Sequence, residues 1–237
     1  MTGAVLTGPA TASEMRTLPD DVLAWAVVGR LWKRLAHDSN NWLAMVLGHA
    51  ELGVQSEALD RMRRSLTQCG QAAELLKQVS LSLGALTGGC QRAERGRIPL
   101  GDTVRAVEAL YSGSFRRSGI RWECDASGAP VIECAGDRIA LALAGLVGLA
   151  FDECRGTGEA AIRLRLAAAG TAWEFAVTAS PGPERCSGAE GEPGSIELVW
   201  AERVAAAHGG SLRVDPGEKD VVRALTLGGA PETGERE

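Results

Sequence analysis

Apolar residues in the first third of the chain recur every three or four positions, which is the spacing of one face of an α-helix. A first helix is predicted to begin at Asp20, where acidic residues suit the positive end of the helix dipole, and to end near Gly53. Ser56 is a suitable N-cap for a second helix. The apolar stripe comprises Val28, Leu31, Leu35, Trp42, Met45, Val46 and Leu52, then Leu59, Met62, Leu66, Cys69, Ala73, Leu76, Val79, Leu83 and Leu86. The pattern predicts an antiparallel helical hairpin over 17–88.

A single hairpin of this kind has a stripe that it cannot bury by itself. Two copies packed together would form a four-helix bundle, so the stripe predicts a homodimer. The alternative is that the rest of the same chain covers the stripe.

From residue 98 onward the pattern changes to short strands alternating with helices. Strands are predicted near 98–100, 120–124, 131–134, 160–167, 173–179, 211–215 and 221–226, helices near 101–112, 137–153 and 195–207, and a loop over 181–194. The predicted fold class is α+β, with an N-terminal hairpin forming a dimeric four-helix bundle and a C-terminal α/β sandwich. The remaining segments are read as a flexible N-terminus (1–16), a glycine-rich linker (89–97) before the domain at 98–228, and a flexible tail (229–237).

Composition narrows the class of protein. A formal net charge of −5 and a pI near 5.4 argue against a nucleic-acid-binding surface. No apolar run approaches the roughly 20 residues of a membrane span, and the N-terminus lacks the features of a signal peptide, which predicts a cytoplasmic protein without a membrane partner. The six cysteines show no C-x-x-C pair, so a bound metal is not expected.

Five consecutive polar residues, His37-Asp38-Ser39-Asn40-Asn41, interrupt the first helix. Asp, Ser and Asn are poor helix formers, and four of them cost about 2 kcal/mol relative to alanine. A solvated turn of the exposed face would explain the run without any function. However, His37 lies about 200° around the helix from Leu35, so it faces water where a core histidine would not.

This arrangement is suited to phosphoryl chemistry. A neutral imidazole is a nucleophile near pH 7, and the adjacent Asp38 could fix its tautomer and stabilise the imidazolium that forms. Asn41, one turn further on, could orient a phosphoryl oxygen or a water molecule. His49 lies on the apolar stripe and is read as a buried structural histidine.

A docking surface for a partner is predicted around His37. Arg30 and Lys33 precede the histidine on the same face, and Ala44 and Gly48 follow it. Basic residues on one side and small residues on the other would let a globular partner approach the imidazole closely.

The segment RLAHDSNNWLAMVLGHAELG (34–53) resembles the H-box of bacterial sensor histidine kinases of the H-D-x-N-N kind, and the resemblance extends to about residue 226. It implies that the hairpin dimerises and that the second half resembles a histidine kinase ATP-binding domain. It also implies roles for three residues: His37 as phosphoacceptor, Asp38 as its acid–base partner and Asn41 in phosphotransfer or dephosphorylation.

The second half departs from this family where nucleotide should bind. Gly145 and Leu149 stand in place of the asparagines that hold magnesium and phosphates, and Ala179 in place of the aspartate that binds adenine. The glycines after that aspartate are replaced by Pro181 and Pro183, and the glycine-rich loop by Ser195-Ile196-Glu197-Leu198. Three lost contacts of about 2–3 kcal/mol each would remove most of a typical ATP affinity of about 4–8 kcal/mol.

An H-box hairpin joined to a silent ATP-binding-like domain resembles the dimeric histidine phosphotransferases of the ChpT type. This resemblance implies a phosphorelay role in which receiver domains of a hybrid histidine kinase and of response regulators are the partners. The chain would bind no cofactor, and the receiver would bring Mg²⁺. The alternatives are a phosphatase that uses Asn41, a non-catalytic pseudokinase that sequesters a response regulator, and a true kinase with a divergent ATP site.

Overall fold

The computed structural model describes residues 11–88, 90, 94–182, 195–217 and 219–228. Its helices are α1 (Ala12–Thr17), α2 (Asp20–Val54), α3 (Leu59–Gly88), α4 (Leu100–Ser118), α5 (Gly136–Cys154) and α6 (Ile196–Ala207). Its strands are β1 (Gly96–Pro99), β2 (Arg121–Asp125), β3 (Val131–Cys134), β4 (Ala161–Ala169), β5 (Ala172–Ser180), β6 (Leu212–Pro216) and β7 (Val221–Gly228). Most of the predicted N-terminal arm (1–10), most of the predicted loop (183–194) and the predicted tail (229–237) lie outside the described residues.

The α+β fold predicted from the pattern is confirmed. Helix α2 continues through the polar run at 37–41 without a break, and α3 returns antiparallel to it. The short helix α1 overlaps the end of the segment predicted as a flexible N-terminus (1–16), and Thr11 and Glu14 form a reciprocal capping box at its start. Strand β1 begins within the predicted linker. Among the described residues, no helix is both long and apolar enough to cross a membrane.

The second half is a five-stranded sheet with the order β2-β4-β5-β7-β6, in which only the β2–β4 pair is parallel. Along β4 the side chains of Ile162, Leu164 and Leu166 are buried, whereas those of Arg163 and Arg165 alternate with them toward solvent. Strands β1 and β3 form a separate two-stranded sheet. The core joins the apolar face of the larger sheet to helices α4, α5 and α6.

Helix α4 extends six residues beyond its predicted end at 112. The continuation was missed because Gly113 and Ser114 are poor helix formers. Both residues are buried in the structure, where α4 packs against the hairpin. The helix ends at Gly119, whose φ of +68° is accessible to glycine at little cost.

Part of the apolar stripe is covered by the rest of the same chain, which is the alternative to dimer packing that the sequence left open. Leu31, Leu35 and Trp42 are at most 3% exposed, because α2 packs on α5 and α6 while α3 packs on α4. Other members of the stripe remain open, including Met45 at 43% and Leu52 at 58% exposure. The hairpin and the sheet domain therefore share one core.

Candidate functional site

One edge of α2 carries the residues that the sequence assigned to phosphotransfer and docking, except Asp38. We call this edge the α2 ridge; it consists of Arg30, Lys33, His37, Asn41, Ala44 and Gly48, spaced by three or four positions. The His37 side chain is 67% exposed. A Cβ placed on Gly48 would meet nothing within 4 Å, so the lower part of the ridge is open to a partner.

Two polar side chains reach the same nitrogen of His37. Asn41 Nδ2 lies 3.2 Å from His37 Nδ1, and Asp38 Oδ1 lies 3.5 Å from it. An amide can turn either its nitrogen or its oxygen toward the ring, whereas an ionised carboxylate can only accept. When Asp38 accepts the proton of Nδ1, the lone pair lies on Nε2, which is the nitrogen that could attack phosphorus.

Asp38 itself does not lie on the ridge. Its side chain is 12% exposed and points toward α4, where Ser114 Oγ donates a hydrogen bond to Oδ2 and the Arg117 guanidinium pairs with the same oxygen. The sequence contained a signal for this placement, because Leu31, Leu35 and Asp38 are spaced by four and three positions. Asp38 therefore belongs to the buried face of α2.

The contact between α2 and α4 is unusually close at Trp42. A Cβ added to Gly113 would lie 2.5 Å from the Trp42 ring, so only glycine permits this approach. The Arg117 guanidinium lies over the same ring, 5.0 Å from its centroid. Arg117 is thus held between the Trp42 ring and the Asp38 carboxylate.

The helix that would hold the phosphates of a nucleotide in a kinase is packed against side chains of this chain. On α5, a Cβ at Gly145 would lie 3.3 Å from Glu197, and a Cβ at Gly148 would lie 2.7 Å from the Tyr111 hydroxyl. Leu149 is 7% exposed, and Ala179, at the predicted adenine position, is fully buried. Gly145, Leu149 and Ala179 carry no polar side chain that could contact a nucleotide.

Arg34 of α2 fills the space between α5 and α6. Its Nε donates to Asp152 at 2.7 Å, and its Nη2 donates to Glu197 at 2.7 Å, although the Glu197 side chain is fully buried. Arg34 Nη1 and Glu197 Oε2 find no partner among the described residues, but both are enclosed by protein. Arg34 therefore joins α2 to acidic side chains of both α5 and α6.

Tyr111 completes this buried cluster. Its hydroxyl donates to the carbonyl oxygen of Ala144 at 2.8 Å. Burial raises the pKa of the Tyr111 hydroxyl above its usual range, so this hydroxyl stays protonated and keeps the hydrogen bond. Among the residues that the structure describes, no cluster of three or more histidine, cysteine or acidic side chains could hold a metal ion.

The C-terminal half resembles the ATP-binding domains of histidine kinases. The catalytic domain of histidine kinase ThkA superposes with a TM-score of 0.50 at 20% identity, covering 59% of this chain and 98% of that domain. No family model matches the chain, and neither does any curated protein. The chain therefore has a histidine-kinase-like fold, with long N-terminal helices and a kinase-like sheet domain.

Two solved structures that match a larger share of this chain than the ThkA catalytic domain does have lower TM-scores. Histidine kinase AdeS of Acinetobacter baumannii has a TM-score of 0.48 at 13% identity and covers 83% of this chain and 98% of that one. Histidine kinase ThkA in complex with the response regulator TrrA has a TM-score of 0.46 at 18% identity, covering 93% and 66%.

The sequence pattern did not identify several residues that shape the site. Arg34 belongs to the segment that resembles the H-box, but the pattern indicated no role for it, and Ser114 and Arg117 lay beyond the predicted end of α4. The contacts of these residues join positions 163 and 76 apart in sequence, for Arg34 with Glu197 and for Ser114 with Asp38. For Arg34, the signal that could have indicated its role was the position of a basic residue beside the apolar face of α2.

We expect Arg34→Ala to destabilise the protein by about 3–5 kcal/mol, because it leaves the buried Glu197 carboxylate without a countercharge. Arg30→Ala, one helical turn earlier and exposed, is the matched control and should change stability by less than about 0.5 kcal/mol. Guanidinium chloride unfolding at neutral pH measures both. Equal effects would mean that Arg34 does not stabilise the interface.

Proposed function

We propose that the chain is a histidine phosphotransfer protein of a two-component phosphorelay. It accepts a phosphoryl group on His37 from a receiver-domain aspartate of a hybrid histidine kinase and passes it to a response regulator. The observation that carries the proposal is a 67% exposed histidine with a carboxylate oxygen 3.5 Å from its Nδ1. It stands on a protein that has Gly145, Leu149 and Ala179 where the resemblance expects polar nucleotide ligands.

The chemistry required of this chain is modest. Phosphoryl transfer depends mainly on positioning and charge stabilisation, and the receiver would bring its own aspartate and Mg²⁺. His37 Nε2 forms the bond to phosphorus as the bond to the receiver's carboxylate oxygen breaks. Asp38 stabilises the positive charge that the imidazole then carries. Asn41, whose Nδ2 lies 3.2 Å from Nδ1 of the same ring, is the residue proposed to orient a phosphoryl oxygen or a water molecule.

The α2 ridge supports a docking role for Arg30, Lys33, Ala44 and Gly48. Both basic residues are exposed, as is Ala44, and the space around Gly48 is open. A receiver packed along the ridge would place its aspartate over the imidazole while its acidic surface meets the two cations.

A homodimer remains part of the proposal, with a different face from the one first predicted. A second edge of α2, which we call the apolar flank, consists of Trp25, Trp32, Leu43 and Leu47 with exposures of 47%, 55%, 49% and 64%. Next to it, α2 and α3 enclose a groove of about 360 Å³ lined by residues that include Val28, Leu76 and Leu83. Large apolar side chains this exposed favour a helical partner, and a second copy would close a four-helix bundle.

We expect the wild-type protein to acquire acid-labile, alkali-stable phosphate from a labelled phospho-receiver and none from labelled Mg-ATP. His37→Ala should abolish the label with little loss of stability, because the side chain is exposed. His49→Ala, which alters a half-buried histidine on the same helix, is the matched control and should keep the label. Denaturing gels of each mixture separate phosphoprotein from free phosphate.

Other results would select another function. Release of inorganic phosphate that depends on Asn41, without label on the protein, would indicate a phosphatase. Tight receiver binding without transfer across a panel of receivers would indicate a sequestering pseudokinase. Label acquired from ATP would indicate a true kinase.

We expect Ala44→Trp to slow phosphotransfer by at least about tenfold, because the indole would hold the receiver away from His37. Ala85→Trp, which places the same bulk on an exposed position of α3, should leave the rate unchanged. Transfer from a phospho-receiver, followed by rapid quench, measures both. Normal transfer by Ala44→Trp would place the docking surface elsewhere.

We expect the double substitution Trp32→Glu and Leu43→Glu to convert a dimer into a monomer, because it would bury two charges of each copy in the proposed dimer interface. Val131→Glu, at a 43% exposed apolar position of β3, should leave the dimer intact. Sedimentation velocity of the full chain at about micromolar concentration distinguishes the two species. A monomeric wild type, or a dimeric double variant, would contradict the proposed face.

A further inference from the structure

The two oxygens of Asp38 have different surroundings. Oδ2 is bound from α4, by the Ser114 hydroxyl and the Arg117 guanidinium. Oδ1 lies 3.5 Å from His37 Nδ1 on the other side. One carboxylate therefore joins the sheet domain to the exposed histidine.

The groups on Oδ2 are themselves held in place. Ser114 is 1% exposed, and the Arg117 side chain is 33% exposed and lies over the Trp42 ring. Gly113, next to Ser114, admits Trp42 at a distance that any side chain would prevent. A free Asp38 would have several rotamers, whereas these contacts leave it one direction in which to present Oδ1.

An ion pair that only held α2 to the sheet domain would not have to lie beside His37. Two such ties exist elsewhere on α2: Asp20 pairs with Arg138 and Arg203 at 2.9 and 2.7 Å, and Arg34 pairs with Asp152 and Glu197. Asp38 makes the third such contact, and it alone of the three has a carboxylate oxygen turned toward the exposed imidazole.

We propose that Ser114 and Arg117 are positioning residues of the phosphotransfer site. They hold the Asp38 carboxylate so that Oδ1 accepts the proton of His37 Nδ1 and the lone pair of Nε2 faces the receiver. This inference rests on the proposed function. It means that the sheet domain supplies the groups that orient the nucleophile.

The step balances without any further reactant. The neutral imidazole forms the Nε2–P bond while the O–P bond of the receiver's acyl phosphate breaks, and the electron pair of that bond stays on the receiver's carboxylate. The imidazole keeps its Nδ1 proton and becomes a cation, which the oriented Oδ1 of Asp38 stabilises. In the reverse direction the same carboxylate holds the same proton.

The first test measures transfer rates in the full chain. Ser114→Ala and Arg117→Gln should lower the transfer rate at saturating phospho-receiver by about tenfold to a hundredfold, the loss typical of residues that orient a reacting group. The receiver concentration that gives half the maximal rate should not change. Arg117→Lys should recover part of the rate, and Arg116→Gln, at the exposed neighbouring position, should match wild type.

A second substitution separates positioning from general damage. In an Asp38→Asn background, Arg117→Gln should cause no further loss of rate, because the carboxylate that it positions is already gone. Additive losses, or a rate lowered equally by Arg116→Gln, would overturn the proposal.

The second test needs no receiver. Long-range ¹H–¹⁵N correlation spectra report which ring nitrogen of His37 carries the proton, with the signal assigned by its loss in His37→Ala. Wild type should show the Nδ1–H form, and Ser114→Ala and Arg117→Gln should shift the population toward Nε2–H. This shift in a protein that transfers no phosphate would retain the positioning role and refute the proposed function. Active transfer with unchanged tautomers and rates in both variants would refute the positioning role alone.

Discussion

The structure depends on the packing of one face of α2 against α5 and α6. That face combines fully buried leucines with Arg34, which pairs with Asp152 and with the fully buried Glu197. A buried carboxylate is tolerated only with a countercharge in good geometry, so this contact constrains how the hairpin sits on the sheet domain. This contact therefore fixes which edges of α2 face solvent.

Because its inner face is committed in this way, α2 presents two different edges to solvent. One is the α2 ridge, which carries polar side chains before His37 and small residues after it. The other is the apolar flank with its two tryptophans. In the proposed function, the α2 ridge contacts a receiver and the apolar flank contacts a second copy.

The same packing brings side chains of α2, α4 and α6 against α5 of the kinase-like sheet domain. Glycines at 145 and 148 on α5 let Glu197, Arg34 and Tyr111 approach its backbone, and these side chains fill the space beside the helix. Three ionic contacts along α2, at Asp20, Arg34 and Asp38, tie the hairpin to α4, α5 and α6.

The sequence by itself determined most of the elements, although not α1 or the end of α4, and it determined the edge of α2 that carries His37. Local periodicity fixes the relative angles of residues on one helix, and the missing asparagines at 145 and 149 could be seen without a structure. Tertiary structure alone decided that Leu31 and Leu35 are covered within the chain, and that Ser114 and Arg117 of α4 are the partners of Asp38. Helical spacing specifies which residues share a face, but the element that covers the face is set by contacts between residues far apart in the chain.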